Sequence, residues 1–337
     1  MTALIFAVVA AAVAATAGRW AMPLGTMLGL LDYPDDAGGR KRHAVVTPLV
    51  GGLALTVVVL GAVFAVVGNP ASGALVTRDL LFLGLAVVVM FGIGAADDRF
   101  DLSVRIRLLV ATLVLLLVID AVPDFGVAFV RFGRAPMLFL LGDWSVAFTL
   151  LCLVGLLNAV NMADGKNGIV IGLALIWSLF LLRHLPAPVI PLMGAAAAAL
   201  LVLFVFNLRG RLFLGDGGSY AVSALFGLLA VYAYNHDFAA VGADEVALLF
   251  AVPVFDTLRL LVSRIAARRS PFAGGRDHLH HYLHAWLGWP RGLYVYLALA
   301  AVPNVLAALV PGSGVIGLLL TLVAYVAVLV AARRTAS

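Results

Sequence analysis

The chain has 337 residues, of which 64% are hydrophobic and 12% charged, and its formal net charge is +5. Soluble domains run at about half apolar and a quarter charged, so a water-soluble fold is excluded. The positive charge alone would admit a nucleic-acid partner, but no basic stripe interleaved with aromatics stands on a soluble module, and none is expected.

The apolar residues fall in runs of roughly 17 to 22, the length a helix needs to cross a hydrocarbon core of about 30 Å. In chain order they predict an all-α polytopic membrane protein with about eleven spans, at 2–22, 48–67, 79–96, 107–122, 146–162, 169–184, 189–207, 218–235, 246–265, 294–310 and 314–332. The alanine-rich first run has no basic residue before it, so it reads as a retained span rather than a signal peptide. Cys152, the single cysteine, lies inside a run and can form no intrachain disulfide. With the N-terminus outside, fifteen loop cations face the cytoplasm, and only Arg78, Arg131, Arg134 and Arg183 face out. That is the positive-inside pattern, and an odd number of spans then leaves the C-terminus cytoplasmic. Ten of the seventeen carboxylates fall on the same inner side, in short glycine-punctuated loops. No internal repeat or separate soluble domain is visible, so residues 1–337 read as one integral-membrane domain. Its chemistry is expected in cytoplasmic loops near 30–47, 97–106, 158–168, 208–218 and 266–293.

The first of these loops carries Arg40-Lys41-Arg42-His43 and then Thr47-Pro48-x-x-Gly51-Gly52. Three cations beside a membrane serve either as topology and headgroup contacts or, as Lys41 or Arg42 would, as partners of a diphosphate or lipid phosphate. The second loop has adjacent aspartates, Asp97 and Asp98, emerging from an apolar span. They repel each other and cost desolvation, which calls for a cation to neutralise or a proton to handle. A helix continuing past them would pair Asp101 with Arg105 at i+4. In the third loop, polar oxygens recur at Asn158, Asn161, Asp164 and Asn167, a spacing of three that lines one face of a helix end and suits a hard-cation shell. Asp-Gly and Asn-Gly are also ordinary turn chemistry. The fourth loop, Phe213-Leu-Gly215-Asp216-Gly217-Gly218-Ser219, opens a span. Its glycines would let backbone N–H groups approach an anion, with Asp216 placed to hold Mg²⁺ against it, or Asp216 simply caps the helix. The fifth loop contains Arg276-Asp277-His278-Leu279-His280-His281. No cysteine completes a zinc set there, and the histidines with Arg276 suit phosphate and hydroxyl contacts better. Asp256 and Arg259 read as a structural i,i+3 pair.

Together these loops resemble the polyprenyl-phosphate N-acetylhexosamine-1-phosphate transferase family, glycosyltransferase family 4 in type. The likeness runs through Arg-Lys-Arg-His…Thr-Pro-x-x-Gly-Gly, the Asp-Asp loop, Asn-x-x-Asn-Met-x-Asp-Gly-x-x-Gly, Phe-Leu-Gly-Asp-x-Gly-Ser and Ser-Pro-Phe…Arg-x-His-x-His-His, in that order. It is nearest the undecaprenyl-phosphate GlcNAc-1-phosphate transferases, because Leu279 interrupts the histidine run and Tyr282 follows it. In the phospho-MurNAc-pentapeptide translocases that run is unbroken and followed by Phe-Glu.

The resemblance implies transfer of HexNAc 1-phosphate, with GlcNAc as the sugar, from a UDP-sugar to undecaprenyl or another polyprenyl phosphate. The products are the polyprenyl-diphosphate sugar and UMP, at the cytoplasmic face of a bacterial inner membrane. It implies Mg²⁺, replaceable by Mn²⁺, with Asp216, Asn161 and Asp164 at the metal. Asp97, Asp98 and Asp164 become the catalytic carboxylates. Lys41, Arg42, Asn158, Asn167, Phe213, Arg276, His278, His280 and His281 become substrate contacts, Phe213 against the uracil. A homodimer is compatible with this reading. Asn167 departs from the family, where a second aspartate is frequent, and weakens any role for that position as a metal carboxylate or base. The alternatives are the pentapeptide translocase and a secondary transporter, the second of which would place polar residues at span midpoints rather than at their inner ends.

Overall fold

The computed structural model describes residues 2–34, 45–69, 73–135, 137–270 and 275–336. They form fourteen α-helices: α1 Thr2–Arg19, α2 Ala21–Leu28, α3 Gly51–Val67, α4 Ala74–Phe100, α5 Val104–Ala121, α6 Ser145–Ala163, α7 Ile169–His184, α8 Ile190–Leu208, α9 Gly215–His236, α10 Ala243–Leu249, α11 Ala251–Ala266, α12 Leu279–Leu287, α13 Arg291–Leu309 and α14 Gly314–Ala336. Two small antiparallel pairs complete the fold, Leu31 and Asp32 against Pro48 and Thr47, and Phe129 and Val130 against Leu140 and Phe139.

Each of the eleven apolar runs is helical. Among the described residues six helices are long and apolar enough to cross a membrane, or up to eight if each of two bent pairs counts as one span. Helices α3 and α7 are apolar and have 17 and 16 residues, at the short limit of the length a spanning helix needs.

Both bent pairs have the same cause. α1 and α2 meet at 72°, and α10 and α11 at 76°. Pro23 and Pro253 each lack the N–H that would bond the carbonyl four residues back, at Arg19 and Leu249, and so end the first helix there. The Leu249 carbonyl is recovered by Trp177 Nε1 at 2.8 Å, from a fully buried indole packed edge-on against Phe226 and Phe250. Helix α4 continues past Asp97 and Asp98 only to Phe100, so the helical condition for an Asp101–Arg105 pair at i+4 is not met. Asp101 takes a left-handed conformation (φ 51°) as the C-cap, its N–H bonds Asp97 O at 2.9 Å, and a new helix starts at Val104.

The chain divides into two compact units, residues 1–114 with 187–225, and residues 115–186 with 226–337. In the first, α1 lies along α8, with Gly18 against the Phe206 ring, and α3 packs on both α8 and α4. In the second, α12 packs on α13 and α14, and α10 and α11 are held by α14. Helix α9 contributes to both units and is buried along its length.

Candidate active site

In the first unit three of the sequence motifs meet. The Phe213 N–H bonds Pro48 O at 2.9 Å, and the N–H groups of Gly51 and Gly52 bond Phe213 O and Leu214 O at 3.0 and 3.1 Å. The Thr-Pro-x-x-Gly-Gly segment is thus the backbone partner of the segment that delivers Asp216. Helix α4 joins them at Gly94, where a Cβ would collide with the Asp216 carbonyl, so only glycine lets the two backbones approach this closely. Phe213 is half-buried beside this junction.

The adjacent aspartates avoid mutual repulsion by taking different partners. Asp97, 8% exposed, accepts from Arg107 Nη1, and the same nitrogen lies 3.5 Å from Asp216 Oδ2. Asp98 faces the start of α9, its oxygens accepting the N–H groups of Asp216 at 3.0 Å and Gly217 at 3.1 Å. The anion seated on that glycine-rich helix start is therefore the chain's own Asp98 carboxylate, held there by two backbone N–H groups.

In the second unit the other two motifs come together. Asn158 and Asn161 lie in the last turns of α6, which Asp164 ends, its N–H bonding Val160 O at 3.1 Å. The Asn158 amide is turned back to Val154 O at 2.8 Å. Gly165 lies against the imidazole of His280, where any Cβ would meet the ring, so these two motifs interlock. The Asn167 carbonyl accepts from Trp289 Nε1 at 3.0 Å.

The histidines form a packed group. His278 and His280 stack with ring centroids 5.3 Å apart and nearly parallel, and His281 lies 4.2 Å from His280. Asp256 organises the group. One carboxylate oxygen accepts from Arg259 at 2.9 Å and from the Tyr325 hydroxyl at 2.7 Å, and the other faces His278 Nδ1 at 3.0 Å. With a carboxylate opposite, Nδ1 carries a ring proton and the ring is held in one orientation. Burial holds His280 well below the ordinary histidine range. Burial, with the fields of His278, Lys166 and Arg276, holds His281 down at about 4. These two rings are neutral at pH 7 and offer hydrogen bonds rather than charge. Arg276 is exposed at the entry to this segment.

Lys41 and Arg42 lie outside the described residues. Of the residues expected at the metal, Asp216 belongs to the first unit and Asn161 and Asp164 to the second. Among the described residues no three histidine, cysteine or acidic side chains group as a metal set. Sequence reasoning missed Arg107, which it counted only as a topology signal, and it gave Asp256 and Arg259 no connection to the histidines. A buried aspartate on an apolar span was the available signal for the second.

The profile of the family described as Glycosyl transferase family 4 matches residues 80–234. Over that stretch the chain is similar to the glycosyltransferase family 4 transferases, and its motifs stand in the same order. It is similar to an undecaprenyl-phosphate alpha-N-acetylglucosaminyl 1-phosphate transferase of Yersinia pestis, at 28% identity over 88% of this chain and 79% of the relative. It is similar also to a decaprenyl-phosphate N-acetylglucosaminephosphotransferase of Mycobacterium tuberculosis, at 29% over 77% of this chain and 70% of the relative. Against an undecaprenyl-phosphate alpha-N-acetylglucosaminyl 1-phosphate transferase of Escherichia coli the identity is 29%, over 84% and 76%.

Proposed function

We propose that this protein transfers GlcNAc 1-phosphate from UDP-GlcNAc to undecaprenyl phosphate, releasing UMP, as the first membrane step of a cell-envelope glycan. The observation that carries the reading is the pair of carboxylates, Asp97 and Asp216, drawn together on one cation at the start of a buried helix. The names of the relatives support the choice of sugar and lipid class. We further place the enzyme in a bacterial inner membrane, with eleven spans, the N-terminus outside, and the motif-bearing loops in the cytoplasm.

Carboxylates that already share a cation have the hard-oxygen chemistry that suits Mg²⁺, and Asp216 with Asp97 would hold it in the first unit. Bound Mg²⁺ supplies charge neutralisation on the diphosphate and on the departing nucleotide. Asp98 keeps Asp216 and the start of α9 in place through its two backbone bonds. His278, with its ring oriented by Asp256, presents Nε2 to a sugar or nucleotide hydroxyl, and neutral His280 and His281 enclose it without adding charge. A phosphate monoester has its second pKa near 6 and is mostly dianionic at pH 7. The acceptor therefore needs orientation more than deprotonation, and the aspartates act by position and charge.

The test is direct. Purified protein with undecaprenyl phosphate, Mg²⁺ and a panel of UDP-sugars should release UMP with UDP-GlcNAc and not with UDP-MurNAc-pentapeptide. No release of UMP with any of the donors would overturn the reading.

A further inference from the structure

Arg107 stands in the first turn of α5, and one of its nitrogens serves two carboxylates from two other helices, Asp97 of α4 and Asp216 of α9. The third carboxylate of this cluster, Asp98, is taken up by backbone N–H groups. Arg107 is therefore the counter-charge of both remaining carboxylates. It is not fully used there, because its Nε is buried without a partner among the described residues. A guanidinium has five donors in a planar fork suited to bidentate oxyanions; here it serves the two carboxylates and a side-chain hydrogen bond with Tyr220 and still leaves Nε unspent.

We propose that Arg107 is an internal counter-cation that competes with the divalent metal for Asp97 and Asp216 and, once displaced, binds an anionic phosphate of the substrates. The inference rests on the reading of a metal-dependent phosphosugar transferase. Two carboxylates sharing one monovalent guanidinium keep a net negative charge. A divalent cation neutralises both and leaves Arg107 half-buried and uncompensated, which favours an oxyanion strongly. Metal and anion binding are then coupled, each raising the affinity for the other by the same factor. The metal alone binds weakly because it must first displace the arginine.

The experiment is a Mn²⁺ titration of the purified full chain, followed by the electron paramagnetic resonance signal of free Mn²⁺, with and without UMP. Wild type and Arg107→Met are compared. Without UMP, Arg107→Met should bind Mn²⁺ at least ~5-fold more tightly, the lower end of ordinary coupling, and UMP should tighten Mn²⁺ binding in the wild type only. Equal or weaker Mn²⁺ binding by a folded Arg107→Met overturns the proposal and leaves the metal reading standing. Binding to neither protein overturns both. Should Arg107→Met fail to fold, the wild type alone decides. Saturating Mn²⁺ should speed modification of Arg107 by phenylglyoxal, read by peptide mass spectrometry, and an unchanged or slower rate overturns the proposal.

Discussion

Asp98, half-buried, and Asp256, buried, each have several donors around them, but their donors differ in kind, and so do the expected consequences of removing them. Asp98 holds two backbone N–H groups at a helix start. Asp98→Asn keeps one acceptor and loses the charge, which is worth on the order of 1 kcal/mol at such a position. Activity should fall by a similar factor at pH 7.5 and pH 8.5, and recovery to near wild-type rates at the higher pH would mark Asp98 as a general base instead. Asp256 holds a guanidinium, a phenol and an imidazole. Tyr325→Phe removes a hydrogen bond donated to Asp256 and one accepted from Arg259, both to charged groups, and should cost about 1.5–3 kcal/mol in thermal unfolding. Asp256→Asn leaves Arg259 without its carboxylate, which costs about 3–5 kcal/mol when a buried pair is broken. It should also raise the donor KM, because His278 loses the group that orients its ring.

At the scale of elements, the close approaches of backbone to backbone and backbone to ring are the most sensitive points. Gly94→Ala drives a methyl into the Asp216 carbonyl, and Gly165→Ala drives one into His280. Overpacking of this kind costs about 1–3 kcal/mol, and each variant should lose activity well beyond its loss in melting temperature, because each moves a motif residue. An unchanged kcat in either would show that the contact is only packing. The helices themselves were legible as apolar runs, since in a membrane protein the pattern needed is length and hydropathy. The breaks were not, although Pro23 and Pro253 carried the signal, because a proline in an apolar run is as compatible with a kinked span as with a stop. Helix α12 was also missed. It is short and amphipathic, and it lies in a segment read for its histidines rather than its period. The motifs named most of the candidate site, but no spacing rule could join Arg107 to an aspartate 109 residues away or His278 to Asp256.

For the whole molecule, the histidine group sets a dependence on pH. His281 is held at about 4 in the folded chain against an ordinary value near 6.5, so between these values the unfolded chain binds more protons than the folded one. The stability this group contributes is complete above about 6.5 and is lost as pH falls toward 4; His280 shifts in the same direction. The thermal midpoint should drop between pH 7.5 and pH 5, and His281→Gln should reduce that drop. A drop of equal size in the variant would place the acid-sensitive group elsewhere.

The pairing of α1 with α8 has a consequence for how the chain is made. About 170 residues separate the end of α1 from the start of the helix it packs against, so at bacterial synthesis rates of roughly 5–20 residues per second the first helix waits on the order of 10–30 s for its partner. During that time Gly18 and the small residues around it face lipid or a chaperoning insertase instead of Phe206. Early truncations should therefore expose α1 to membrane proteolysis, and protection should arrive only once the chain has grown past residue 208.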